Sequence, residues 1–160
     1  MTRRLFLLAA LASTALYAED FAGKVVAISD GDTIRVMHNG ASERIRLWGI
    51  DCPEMKQPFG TRAKQFTGDL AFGQVVTVKV RDIDRYRRTV GEVMLPDGRN
   101  LNQEIVRAGL AWWYQQYARS ETVLRDLEQE ARAAKRGLWV DPKPAEPWEW
   151  RKATAAARKL

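Results

Sequence analysis

The sequence predicts a mainly β, α+β domain: a five-stranded OB-fold barrel with three α-helices. Three observations predict it. Three alternating strands follow one another closely over residues 24–48. A helical stripe then separates them from two more alternating strands at 75–81 and 89–95. Two further helical segments follow, so the order is β-β-β-α-β-β-α-α, the arrangement of an OB-type barrel.

Each element has a local reason. Residues 24–28 (KVVAI) read as a strand. Over 33–37, Ile34 and Val36 fall on one face and Thr33, Arg35 and Met37 on the other. Asp30-Gly31-Asp32 between them is a turn. Asn39-Gly40 signals a tight hairpin, because both central residues of a type I′ turn need positive φ. The third strand, 43–48, puts Ile45 and Leu47 on one side and Arg44 and Arg46 on the other. A helix over 61–72 carries an apolar stripe of Ala63, Phe66, Leu70 and Ala71, with Gly73 as its stop. Val76, Val78 and Val80 point inward from the fourth strand, and Pro96-Asp97-Gly98 closes the fifth. Asn100 caps a second helix over 101–108, which Gly109 ends. A third starts after Ser120, shows a stripe of Leu124, Leu127, Ala131 and Ala134, and stops at Gly137.

The ends differ from this middle. Arg3 and Arg4 precede an apolar run over 5–16, broken only by Ser13 and Thr14, and small residues Ala15 and Ala18 follow. That is the layout of an export signal over residues 1–18. The run is shorter than the ~20 residues of a membrane span, though an uncleaved anchor is the alternative. A domain over 19–140 and a Pro-, Trp- and Lys-rich tail over 141–160, lying on the surface or fraying, complete the division. The expected protein is secreted or periplasmic, monomeric and not stably bound to membrane once the signal is cleaved.

Composition narrows the chemistry. Twenty-six Lys and Arg against 20 Asp and Glu give a net charge of +6. Loss of Arg3 and Arg4 leaves +4, so a basic chain suited to polyanions persists. Cys52 and His38 are the single cysteine and histidine. No internal disulfide can form, and the two cannot build a zinc site. A cysteine nucleophile needs a base, and His38 sits in a predicted turn.

Three clusters carry the candidate chemistry: Asp30 to Thr33, Arg46 to Glu54, and Asp84 to Arg88. All fall at strand ends or loops of one barrel. Phosphodiester hydrolysis needs positive charge on the phosphate oxygens, a proton acceptor for water, and extra stabilisation of transition-state charge. Asp32 and Asp51 could ligate Ca2+, which prefers oxygen donors. Arg46 and Arg88 could each present a planar donor fork to phosphate. Glu54 could hold the water. Taken singly, these residues read more simply as a turn, a solvated charge and an exposed loop that salt-bridges within itself.

As an ordered set, VVAISDGDTIRV, RIRLWGIDCPE, DRYRR and LNQEIVRAGLAWWY resemble the staphylococcal nuclease (thermonuclease) family over residues 24–139. The PWEW of 147–150 also resembles members of the exported bacterial type. The resemblance implies a Ca2+-dependent nuclease that cleaves the P–O5′ bond of DNA and RNA and leaves 3′-phosphates. It implies Asp32, Asp51 and the Cys52 backbone carbonyl as metal ligands. It implies Arg46 and Arg88 on the phosphate, and Glu54 as general base. Arg85, Tyr86 and Arg87 are the implied contacts to a flanking phosphate or nucleotide, while the run Trp112-Trp113-Tyr114 with Tyr117 reads either as core rings or as a surface on which Tyr114 or Tyr117, the latter by resemblance, stacks a base.

Two positions depart from the family pattern. Cys52 stands where threonine is usual, which a carbonyl ligand tolerates. Arg87 stands where glycine is usual, which removes an easy positive φ. It also leaves either Arg87 or Arg88 as the second phosphate arginine; register selects Arg88. The alternative function is a catalytically inactive barrel that binds nucleic acid or protein.

Overall fold

Alternating apolar residues on five strands need a closed surface to hide on, and the chain supplies one. The computed structural model describes residues 19–158, so the predicted export signal lies outside the described residues. Strands β1 (Phe21–Asp30), β2 (Thr33–His38), β3 (Ala41–Leu47), β5 (Val75–Ile83) and β6 (Thr89–Met94) form a closed barrel in the order β1-β2-β3-β6-β5. Helix α1 (Gly60–Ala71) joins the two halves. Val25, Ile34, Val36, Ile45, Val76, Val78 and Val93 fill the interior. The five predicted strands are all present. Asn39 and Gly40 adopt φ of 49° and 77°, the left-handed pair that the hairpin requires.

Register places the chemistry. β2 and β3 pair with Thr33 opposite Arg46, so Asp32, one residue earlier, lies beside Arg46. β3 and β6 run parallel, with Ile45 opposite Thr89 and Arg46 opposite Val90. Arg88, just ahead of β6, therefore reaches the same rim. The Asp30–Asp32 turn is held from below by α1, whose buried Thr67 hydroxyl donates to the Gly31 carbonyl at 2.6 Å. A Cβ on Gly31 would lie 2.8 Å from both Ala63 and Cys52, so only glycine lets the turn seat this closely.

Two short elements escape the sequence prediction. β4 (Ile50–Asp51) and β7 (Trp112–Trp113) make a separate two-stranded sheet, with Asp51 opposite Trp112. Buried Asn102, on α2 (Leu101–Arg107), braces the approach to β4. Its side chain donates to the Trp48 carbonyl at 2.9 Å and accepts from the Val93 N–H at 3.2 Å.

Among the described residues the α-helices number four, not the predicted three. α3 (Thr122–Ala133) buries Leu124, Leu127, Glu128 and Ala131. Ala134, expected in that stripe, is exposed because the helix ends at Ala133 rather than Gly137, and Lys135 turns left-handed at φ 51°. The additional helix, α4 (Pro147–Ala157), lies in the segment expected to lie on the surface or fray. Proline at its first turn has no N–H to lose, and neither glycine nor proline interrupts it before Ala157. Trp148 docks it, 5.5 Å from the Tyr114 ring and 6.5 Å from Trp112. Behind these rings, Trp112, Leu138 and Trp139 form a second apolar cluster. No helix among the described residues is long and apolar enough to cross a membrane.

Candidate active site

A cleft of about 780 Å3 opens at the rim where the three motif clusters converge. Asp32, Arg46, Asp51, Cys52, Glu54, Arg85, Tyr86, Arg88, Tyr114 and Tyr117 all line it. The remaining sequence candidate, Arg87, does not. Its side chain is exposed to solvent outside the cleft, whereas Arg88 is half-buried within it.

The floor is a charge cluster with little exposure to solvent. One Arg46 guanidinium bridges two carboxylates: Nη1 lies 2.7 Å from Asp32 Oδ1, and Nη2 donates to Asp51 Oδ1 at 2.9 Å. The Arg46 side chain is only 16% exposed and that of Asp51 2%. The Cys52 backbone N–H donates to Asp32 Oδ2 at 2.6 Å, tying the two motifs together. Burial pushes the Asp32 carboxyl up to about 6, against the attraction of Arg46, and nearby Asp30 adds to the rise. Burial also raises the Asp51 carboxyl, and the Arg151 hydrogen bond opposes that rise. Two acids held in this state gain from a further cation. Burial raises the Cys52 thiol well above its usual range, which keeps it from acting as a nucleophile.

No group of three His, Cys, Asp or Glu side chains able to hold a metal ion occurs among the described residues. What the floor offers is two oxygen-donor side chains within reach of one guanidinium. Such a donor set fits a hard cation that completes its shell with carbonyls and water. It does not fit zinc: the single thiol there, Cys52, is held from ionising by burial, and His38 lies off the cleft, stacked on Phe21 and paired with Glu43 at 2.7 Å.

The wall opposite the acids is built by the 84–88 loop. Asp84 accepts the Tyr86 and Arg88 backbone N–H groups through Oδ1 and the Arg88 Nε through Oδ2 at 2.7 Å. Arg88 is thereby aimed by its Nε, and its two Nη groups hydrogen-bond no described residue. Arg85 lies 4.9 Å and Arg88 5.5 Å from the centre of the Tyr86 ring. Arg87 adopts φ 59° despite its side chain, because Asp84 closes the turn around it. A left-handed arginine is strained, so Arg87→Gly should raise the unfolding free energy by about 0.5–1 kcal/mol. A urea midpoint that stays or falls would show that the loop stores no strain.

Tyr114 and Tyr117 stand together at the cleft mouth, 5.1 Å apart. Trp148 stacks on Tyr114, while Tyr117 is 68% exposed.

One lining residue was invisible in the motifs. Arg151, from α4, donates through Nη2 to Asp51 Oδ2 at 2.7 Å and through Nη1 to Glu54 Oε1 at 2.8 Å. It reaches 100 residues back along the chain. The signal that could have found it is the helix start at Pro147 followed by an uninterrupted helical run. Asp84, already named with the 84–88 cluster, has the further part of aiming Arg88 into the cleft, which an acid four residues before an arginine across a turn allows.

Comparison with known proteins agrees with this geometry. Residues 44–141 match the family described as Staphylococcal nuclease homologue. The chain is 49% identical over 132 residues to a protein of Escherichia coli O157:H7 named an uncharacterized endonuclease, covering 82% of this chain and 86% of that one. It is 44% identical over 147 residues to a micrococcal nuclease of Shigella flexneri, covering 86% and 84%. A Haemophilus influenzae protein, also named an uncharacterized endonuclease, is 39% identical over 130 residues, covering 81% and 72%. With its barrel, its acid-and-arginine cleft and these relatives, the chain belongs to the staphylococcal nuclease family and is a hydrolase of nucleic-acid phosphodiester bonds, of the thermonuclease type.

Proposed function

We propose that the cleft hydrolyses both DNA and RNA in a Ca2+-dependent reaction, breaking the P–O5′ bond and leaving 3′-phosphate ends. The observation that carries this reading is the single guanidinium of Arg46 held between Asp32 and Asp51 at the base of a cleft that Arg88 also lines.

Asp32, Asp51 and the Cys52 carbonyl would hold the ion. When bound, Ca2+ supplies positive charge that polarises a phosphate oxygen. The remaining work falls to side chains. Glu54, 42% exposed and at the cleft wall, accepts a proton from the attacking water at its carboxylate oxygens. Arg46 donates to the non-bridging oxygens as their charge grows, in a floor dry enough to strengthen each hydrogen bond. Arg88, with its Nη groups unengaged, meets the phosphate from the other wall and favours departure of the 5′ oxygen. Arg85 and Tyr86 take a flanking phosphate or nucleotide. Tyr117, with Tyr114 behind it, stacks a base without reading its identity, which suits a nuclease of low sequence preference. Breadth across DNA and RNA follows because none of these contacts needs a 2′-hydroxyl.

The basic n-region and apolar run at 3–16 support export to the periplasm or beyond, with the protein working as a monomer on external nucleic acid.

The test is digestion of plasmid DNA and of RNA by the protein lacking residues 1–18. Both substrates are expected to be degraded with millimolar Ca2+ and spared in chelator. Intact substrates with Ca2+, or equal digestion in chelator, would overturn the reading.

A further inference from the structure

We propose that Arg151 is a positioning residue for Glu54, so that the C-terminal helix α4 is a working part of the active site. The inference rests on the reading of Glu54 as the base. Its ground is geometric. One planar guanidinium spans two carboxylates, with Nη2 on Asp51 Oδ2 at 2.7 Å and Nη1 on Glu54 Oε1 at 2.8 Å. Asp51 is fixed by its place in β4 and by Arg46. Glu54 has no such anchor: it lies in no strand or helix, and Arg151 is the only described side chain that hydrogen-bonds its carboxylate. A glutamate so exposed samples many rotamers unless a partner selects one. Arg151 ties that mobile carboxylate to a fixed one, and a rigid two-pronged fork does this where a point charge cannot.

The backbone of the same residue is tied to the same segment. The buried Gln57 side chain accepts the Glu54 N–H at 3.0 Å and donates its own N–H to the Ala145 carbonyl, just ahead of α4. The Gln57 backbone N–H returns to the Glu54 carbonyl at 2.8 Å. The loop is closed so tightly that a Cβ on Gly60 would lie 2.0 Å from that carbonyl. Main chain and side chain of Glu54 thus depend on the C-terminal segment through separate bonds. Trp148, packed on Tyr114 and Trp112, sets the helix at the height from which Arg151 reaches.

The test is a double-mutant cycle on turnover of single-stranded DNA in saturating Ca2+. Arg151→Ala is expected to lower kcat about ten- to thirtyfold and to move KM less than about twofold, since a base held in the wrong place slows the chemistry rather than the binding. In an Glu54→Gln background the same change is expected to alter kcat less than about twofold, because nothing remains to position. Arg151→Lys, able to reach one carboxylate but not bridge two, is expected to recover part of the loss. The near-ultraviolet circular dichroism of the Trp148 cluster should stay unchanged in both variants. Should Arg151→Ala lose that signal, Arg151→Lys carries the same cycle with α4 in place.

An equal loss of kcat with and without the Glu54 carboxylate would overturn the inference, because it would show a general structural role. A raised KM with unchanged kcat would also overturn it, showing a substrate contact instead. Full turnover of Glu54→Gln alone would remove the base reading, and the positioning role with it. A slow Glu54→Gln combined with an additive Arg151→Ala would sink the positioning role only.

Discussion

Arg46→Ala is expected to lower kcat on duplex DNA by about a thousandfold, with KM changed less than about threefold. Its donors sit in a floor where the side chain is 16% exposed, so each hydrogen bond to a developing phosphate charge is strong. Loss of interactions made mainly in the transition state appears in kcat rather than in KM. The same change has a second consequence. It leaves Asp32 and Asp51 buried and facing each other without the guanidinium that joins them. Breaking a buried pair this way should lower the unfolding free energy by about 3 kcal/mol in chelator. Ca2+ supplies the missing charge between the two acids and is expected to restore most of that stability while leaving turnover low. Denaturant unfolding with and without Ca2+, beside single-turnover rates, separates the two roles. If Ca2+ restores turnover as well, Arg46 serves only to neutralise the acids.

Asp32→Asn is expected to trade activity for stability. Turnover should fall by about a thousandfold, through loss of the oxygen ligand and charge that the proposed Ca2+ site takes from Asp32. In chelator at pH 7 the folded state should gain about 2 kcal/mol. The sign follows from burial, which lifts the Asp32 carboxyl to about 6 in the folded protein against about 3.9 in an unfolded chain. Below pH 4 both states hold the proton and the residue contributes nothing. Between pH 4 and 6 the folded state keeps a proton that the unfolded state has released. Above pH 6 the folded state must carry the charge in a dry floor, and the full penalty is present. Asparagine removes that penalty and keeps an acceptor for the Cys52 N–H, which Asp32 now receives at 2.6 Å. The gain measured at pH 7 should therefore vanish as pH falls towards 4. A pH-independent difference, or a loss of stability at pH 7, would contradict the burial argument.

The barrel was legible because its signals are local. Alternation in β2 and β3 sorts Ile34, Val36, Ile45 and Leu47 inward, and Asn39-Gly40 fixes the hairpin and hence the register that sets Thr33 against Arg46. From that register alone Asp32 comes beside Arg46. The resemblance then places Asp51, Glu54 and Arg88, and the cleft gathers all of them. What escaped has physical reasons. β4 and β7 are two residues each, too short for any period to show. Ala134 fits the helical period of α3, but the period says nothing about where the chain leaves the helix. Arg87 occupies a conformation its own type disfavours, enforced by five backbone and side-chain hydrogen bonds between Asp84 and residues 86–88. Arg151 is the largest gap. Its helix is rich in alanine and charge with little apolar face, and it is held by Trp148 and by ion pairs to residues almost 100 positions away. No window along the sequence contains both partners.

The central claim is that Asp32 and Asp51 make one oxygen-lined cation site against Arg46. A crystal structure of the protein grown with CaCl2, with anomalous data to mark the ion, tests it most directly. The expected result is one strong calcium peak about 2.3–2.6 Å from a carboxylate oxygen of each acid, with Arg46 still lining the cleft. Calcium bound elsewhere, with the Arg46 guanidinium still wedged between the two acids at saturating Ca2+, would contradict it.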